Sequence, residues 1–262
     1  MNKYYVLFVE GTHDSEAIKK VLCLYAFRSL SRIDEVPKCF ERWIPSYPHE
    51  KGSLDRFVPT PSFLVKENKC VAIVVSVGDS QIAEKLHTNI KQINERYLRE
   101  VDDICFIGVV LDSDAKTCKK RKEDLALEIR KLNNEGMNLE GLSAVTINGF
   151  KIPFGLYAFP NDRDVGTLED VLIDGAQMQF PALLTLSNDY VNSIPEHYSM
   201  TWKGSDEKKV IVGTIANVFR PSRASQVSIG EKDCDWFTEE SIDTVFSHKC
   251  LFTFLDKNIG LL

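Results

Sequence analysis

Two short acidic motifs close apolar runs in this chain. Glu10-Gly11-Thr12-His13-Asp14 follows Val6-Leu7-Phe8-Val9, and Asp112-Ser113-Asp114 follows Ile107-Gly108-Val109-Val110-Leu111. Carboxylates grouped this way suit hard divalent cations, since Mg²⁺ takes oxygen ligands and is commonly held by one or two carboxylates together with waters and substrate phosphates. The chemistry this points to is metal-assisted phosphoryl transfer, in which one cation activates water and a second stabilises the leaving oxygen. A further acid, Glu169, stands in Gly166-Thr167-Leu168-Glu169-Asp170. Each of these acids also has a structural reading, which the residues alone leave open. Asp14 and Asp114 precede predicted helices, where Asp is a favoured N-cap. Thr167 and Asp170 have capping-box spacing, and a carboxylate at Glu169 suits the positive end of a helix dipole.

The elements that must position these acids are legible from periodicity. Apolar, β-branched runs predict strands over 4–9, 70–77 and 104–112, and longer amphipathic stretches predict helices over 15–29, 80–99 and 116–134. That alternation is the signature of an α/β fold with a mainly parallel central sheet flanked by helices, in which ligands bind beyond the carboxyl ends of the strands. Asn133-Asn134-Glu135-Gly136 reads as a helix stop, and the stretches 143–148 and 155–159 read as further strand broken at Gly149 and Pro153. Between the first helix and the second strand, residues 31–68 are too long for a plain connection. They hold Pro37, Pro45, Pro48, Pro59 and Pro61 with Trp43, Phe57 and Phe63, which predicts an insertion packed by its own aromatics.

In the order Glu10-Gly11, then Asp112-x-Asp114, the chain resembles the Toprim family, the metal-binding domain shared by topoisomerases, bacterial primases, ribosomal RNA maturases and overcoming-lysogenization-defect nucleases. Asp14, in Glu10-Gly11-x-x-Asp14, extends the likeness towards primase-like and nuclease-like members. The segment Gly155-Leu156-Tyr157-Ala158-Phe159-Pro160 with Gly166-Thr167-Leu168-Glu169-Asp170 is similar to the Gly-x-Leu-Glu element of an uncharacterised Toprim-like family. The likeness spans about residues 4–172. It implies a Rossmann-like Toprim fold over 1–175, Mg²⁺ or Mn²⁺ held by Glu10, Asp14, Asp112, Asp114 and Glu169, and a catalytic set of Glu10, Asp112, Asp114 and a downstream lysine, Lys209. Glu10 is alternatively a general acid or base in such enzymes.

Composition bounds the rest. A hydrophobic share of 44% with 27% charged residues is ordinary for a globular chain, and 262 residues make one large α/β domain with additions. Residues 176–262 read as a mainly helical extension packed on the first domain, with helices over 170–179, 183–191, 208–219, 236–246 and 251–255. No stretch approaches the roughly 20 apolar residues of a membrane span, and Met1-Asn2-Lys3 runs straight into a strand, which predicts a cytoplasmic protein without a membrane partner. Seven scattered cysteines, never in Cys-x-x-Cys spacing, predict core thiols and no zinc site.

A net charge of −6 argues against nucleic-acid binding by bulk electrostatics, although a bound cation reverses the local sign for phosphate. Basic residues at Lys116 and Lys119-Lys120-Arg121-Lys122, at Lys203 beside Trp202, and in Arg220-Pro221-Ser222-Arg223 could flank phosphates or form solvated faces. No Gly-x-x-x-x-Gly-Lys-Ser/Thr is present, so a P-loop ATPase activity would need a separate subunit. Two functions follow: a Mg²⁺- or Mn²⁺-dependent nuclease acting on DNA or RNA, in phage defence or nucleic-acid processing, or a non-catalytic Toprim-like interaction or regulatory subunit working with a partner ATPase. Assembly into a homo-oligomer is open in both.

Overall fold

Val6, Leu7, Phe8 and Val9 are all fully buried, as a strand covered on both faces requires, and they form the second half of β1 (Lys3–Val9). In the computed structural model, residues 2–45, 60–76, 78, 81–93, 104–131, 137–147 and 150–262 are described. After β1 come α1 (Thr12–Leu24), β2 (Arg28–Ser29), β3 (Ser62–Lys66), β4 (Lys69–Val75), α2 (Ile82–Lys91), β5 (Ile104–Asp112), α3 (Cys118–Lys131), β6 (Met137–Glu140), β7 (Ala144–Ile147) and β8 (Phe150–Phe159). The chain continues as α4 (Leu168–Gln179), α5 (Pro181–Ser193), α6 (Glu196–Ser199), α7 (Asp206–Phe219), α8 (Ser225–Gly230), α9 (Glu239–Thr244) and α10 (Phe246–Ile259). It divides into two compact units, 1–15, 26–110 and 123–156 in the first, and 16–25, 111–122 and 157–262 in the second.

The fold is mixed α/β around an eight-stranded sheet of order β2-β3-β4-β1-β5-β8-β7-β6. The expectation of a mainly parallel sheet is corrected here. β1 runs parallel to both β4 and β5, with Val9 opposite Val75 and Val110, but β2/β3, β3/β4, β6/β7 and β7/β8 are antiparallel. The reason is connection length. Glu67-Asn68 alone joins β3 to β4, and Gly141-Leu142-Ser143 joins β6 to β7, whereas a parallel pair needs a crossover of a dozen or more residues. β3 falls within the 31–68 segment and β6 within a stretch not read as strand, and Pro153 lies inside β8, opposite Ala144, instead of breaking it. Pro48, Phe57, Pro59, Val77, Ser80, the 94–99 end of the second predicted helix, the Asn133-to-Gly136 stop and Gly149 lie outside the described residues.

In the first unit, Phe40 stacks near Tyr4, Trp43 and Phe63 at centroid distances of 5.4, 4.5 and 5.9 Å, and Trp43 Nε1 donates to Asn89 O at 2.8 Å. Phe40 and Trp43 stand on a 3₁₀ turn, Lys38–Trp43, while Tyr4 comes from β1 and Phe63 from β3. Gly108 allows a close approach in β5, because a Cβ there would stand 2.7 Å from Phe106 Cε1 and 2.8 Å from Leu7 Cδ2.

The second unit is built around Trp236, Phe237, Tyr157 and His248, all within 1% of full burial. Phe180 packs edge-on to Trp236 and Phe219, and His248 lies against Phe237. The helix predicted over 236–246 begins only after Thr238, which caps α9 by accepting from Ser241 N, and the last helix is longer than 251–255. Lys20, buried on α1, donates to Glu231 O and Lys232 O at 2.8 and 3.0 Å, so its ammonium is satisfied by a loop of the same unit. No disulfide joins the seven cysteines. No helix among the described residues is long and apolar enough to cross a membrane.

Candidate functional site

In the first unit, the Glu10 motif stands at the exit of β1. Glu10 O accepts from Gly78 N at 3.0 Å, next to the bond from Ser76 N to Val9 O, so the chain holds its sheet pairing through the motif. Asp14 is buried, and its Oδ2 accepts from Gly11 N at 2.8 Å. The helix begins at Thr12, so Asp14 does not precede it as an N-cap; it is the third residue of α1, and its carboxylate folds back on the amide of Gly11 just before the helix, as the N3 residue of a capping box does. His13 occupies the first turn of the same helix.

In the second unit, the other acids gather around the turn after β5. Asp112, the last residue of that strand, accepts from Leu168 N at 2.8 Å through Oδ1, and its carbonyl accepts from Arg121 Nε at 3.1 Å. Ser113 is fully buried; its Oγ accepts from Gly166 N at 2.8 Å and lies 3.1 Å from both Asp164 O and Gly166 O. Asp114 follows with φ of 53°, an αL conformation that Asp tolerates, and its N donates to Gly166 O at 2.8 Å while its side chain is exposed. That conformation and the Lys116 N to Ser113 O turn delay α3 to Cys118. The Asp112-to-Asp114 turn is therefore sewn to residues 164–168 by both backbone and side chains.

The facing segment is equally determined. Asn161 Oδ1 accepts from Arg163 N and Asp164 N, and its Nδ2 donates to Asp164 Oδ2, forming a closed Asx turn. Cys118 Sγ donates to Asp164 O at 3.1 Å, and burial pushes its thiol pKa up. Gly166 has φ of 146°, and a Cβ on it would lie 2.5 Å from Asp170 Oδ2. Thr167 and Asp170 form the capping box that their spacing predicts, with Thr167 N donating to Asp170 Oδ2 at 2.9 Å. Glu169 is buried, and its Oε2 accepts from Thr167 Oγ1 at 2.7 Å.

Among the predicted site residues of the second unit, Asp112, Asp114 and Glu169 belong to this one network. Lys209 does not; it pairs with Asp206 at 3.5 Å in the first turn of α7. The adjacent Lys208 is the lysine that reaches α4, with Nζ 2.6 Å from Asp170 Oδ1. Sequence reasoning missed Ser113, Asp164 and Lys208, and took Arg121 only as part of a basic run that flanks phosphates or forms a solvated face. Only the capping-box spacing pointed to Asp170. The basic run is split by its helix: Arg121 turns inward to Asp112 O, and Lys122 pairs with Asp162. Arg220 is engaged by Asp233 and Glu231, and Lys203 N donates to Asp206 Oδ2.

Among the described residues, no three His, Cys, Asp or Glu side chains are grouped to hold a metal ion. A closed cage of the Zn²⁺ or Ca²⁺ kind is thus not built there. The donor set of the acidic turn is nevertheless all oxygen, which fits Mg²⁺ or Mn²⁺ held by one or two carboxylates with water completing the shell. The buried histidine of this unit is structural: His248 Nε2 lies 3.0 Å from Val171 O and Nδ1 2.9 Å from Ser241 Oγ. Because a carbonyl only accepts, the proton that faces Val171 O sits on Nε2.

A family model described as "Protein of unknown function (DUF3226)" matches residues 4–245. No curated protein matches the chain. Among solved structures, it is similar to the crystal structure of a hypothetical protein from Pyrococcus horikoshii OT3, with 17% sequence identity, 99% of this chain and 96% of that chain covered, and a TM-score of 0.49.

Proposed function

The chain belongs to the DUF3226 family, and from its acidic turn we propose that it is a Toprim-like, Mg²⁺- or Mn²⁺-dependent phosphodiesterase acting on nucleic acid. The observation that carries this is the turn at the end of β5. Asp112 is oriented there by the Leu168 amide, and Asp114 presents an exposed carboxylate two residues on. A motif used only to start α3 would not need the second acid in αL, tied to Gly166. Asp112 and Asp114 are the proposed ligands, and Glu169 is the acid of the same unit that the Toprim resemblance adds. A bound divalent cation would supply Lewis-acid stabilisation of phosphoryl oxygens and a water of lowered pKa. The chain's own part is to hold the carboxylates in place through Ser113, Arg121 and the first turn of α4.

Mn²⁺ titration calorimetry on the full chain and on Asp112→Asn/Asp114→Asn, with Mg²⁺ competition, tests the proposal. Stoichiometric binding lost in a folded double variant is the expected result, followed by cleavage of DNA or RNA substrates. One observation favours a second reading: Asp14, Asp112 and Glu169 each accept a hydrogen bond from the start of a helix. If the folded wild type binds no Mn²⁺, the acids are caps, and the chain is an interaction or regulatory subunit of a partner ATPase.

A further inference from the structure

The first turn of α4 gathers more negative charge than a cap needs. Asp112 Oδ1 takes the amide of Leu168, Asp170 Oδ2 takes the amide of Thr167, and Glu169 Oε2 takes the Thr167 hydroxyl. Thr167 and Leu168 are consecutive, so the Asp112 and Asp170 carboxylates accept from adjacent amides at one helix N-terminus. Like charges so placed repel one another, and the helix dipole offsets only part of that repulsion.

The remaining compensation comes from α7. Lys208 Nζ lies 2.6 Å from Asp170 Oδ1, and the pair is partly open to solvent, at 40% and 27% side-chain exposure. We propose that Lys208 is the resident counter-cation of the acidic turn, neutralising it without metal and competing electrostatically with an incoming divalent cation. This rests on the reading of Asp112 and Asp114 as metal ligands. An ammonium and a divalent cation answer the same cluster of carboxylates, so each weakens the other's hold by simple repulsion. Exposure of the pair keeps that coupling moderate and dependent on salt. Lys209 supplies an internal comparison, since it is a lysine of the same helix whose ammonium pairs with Asp206 instead.

The test is Mn²⁺ titration calorimetry at low ionic strength on full-length wild type, Lys208→Met, Lys208→Arg and Lys209→Met, with thermal unfolding of each with and without Mg²⁺. Lys208→Met should bind Mn²⁺ about tenfold more tightly, a gain that shrinks in high salt. Lys208→Arg and Lys209→Met should stay within about twofold of wild type. Mg²⁺ should raise the unfolding temperature of Lys208→Met more than that of wild type. Unchanged or weaker Mn²⁺ binding by folded Lys208→Met overturns the counter-cation while leaving the metal centre standing. No Mn²⁺ binding by any of the four proteins overturns both. Should Lys208→Met fail to fold, Lys208→Gln carries the same prediction.

Discussion

Leu168 N donates to Asp112 Oδ1 at 2.8 Å, joining the last residue of β5 to the first residue of α4 across 56 positions of sequence. One carboxylate therefore serves two ends: it caps a helix with one oxygen and belongs to the acidic turn. Fixing an acid in this way removes its rotamer freedom before any ligand arrives, which is how preorganised sites are built.

Asp112→Asn keeps an oxygen that can accept the Leu168 amide, whereas Asp112→Ala leaves that amide without its cap. The alanine variant should lose about 1–2 kcal/mol of stability and the asparagine variant less than half of that. Urea unfolding midpoints compare them, and equal losses would show that charge, not capping, is what Asp112 contributes.

Ser113→Ala removes a fully buried hydroxyl and strands the Gly166 amide that it receives. An unpaired buried donor costs about 1–3 kcal/mol, so the variant should be less stable by that amount. Hydrogen exchange at the Gly166 amide should accelerate correspondingly; unchanged protection would mean that another acceptor takes its place.

Gly166→Ala meets two obstacles, a φ of 146° and a Cβ 2.5 Å from Asp170 Oδ2. Accommodating it must push Asp170 off the capping box, with a loss of about 2 kcal/mol or more. Thermal unfolding measures this. A variant as stable as wild type would show that the 164–168 segment can shift freely.

His248 links stability to acid. Burial pushes its pKa from 6.5 down to about 4. The unfolded chain therefore takes up the proton first. The contribution of His248 to stability is full above about pH 6.5 and is lost as the pH drops towards 4, a loss of about 3 kcal/mol. Urea unfolding between about pH 7.5 and 4.5 should show this slope in wild type and lack it in His248→Gln. Coincident slopes would place the acid sensitivity elsewhere.

The runs that became β1 and β5 were readable because unbroken apolar, β-branched stretches can be stable only when both faces are covered, whatever covers them. The Thr167–Asp170 cap was readable for a similar reason, since its bonds are made within four residues. β3 and β6 were not. Four or five residues of ordinary composition become strand only because a neighbour is brought alongside by a short turn, and that same shortness made the pairing antiparallel.

At the acidic turn the division is sharper. Residue types and order alone determined that carboxylates close two buried strands and that hard-cation chemistry is open to them. Which side chain does what was decided by tertiary structure. Ser113 is a small polar residue between two acids until residues 164–166 arrive to bond it. Lys208 and Lys209 are the same residue type one position apart, yet successive residues of a helix point about 100° apart. Only the packing of α7 beside α4 selects Lys208 to meet Asp170 and leaves Lys209 with Asp206.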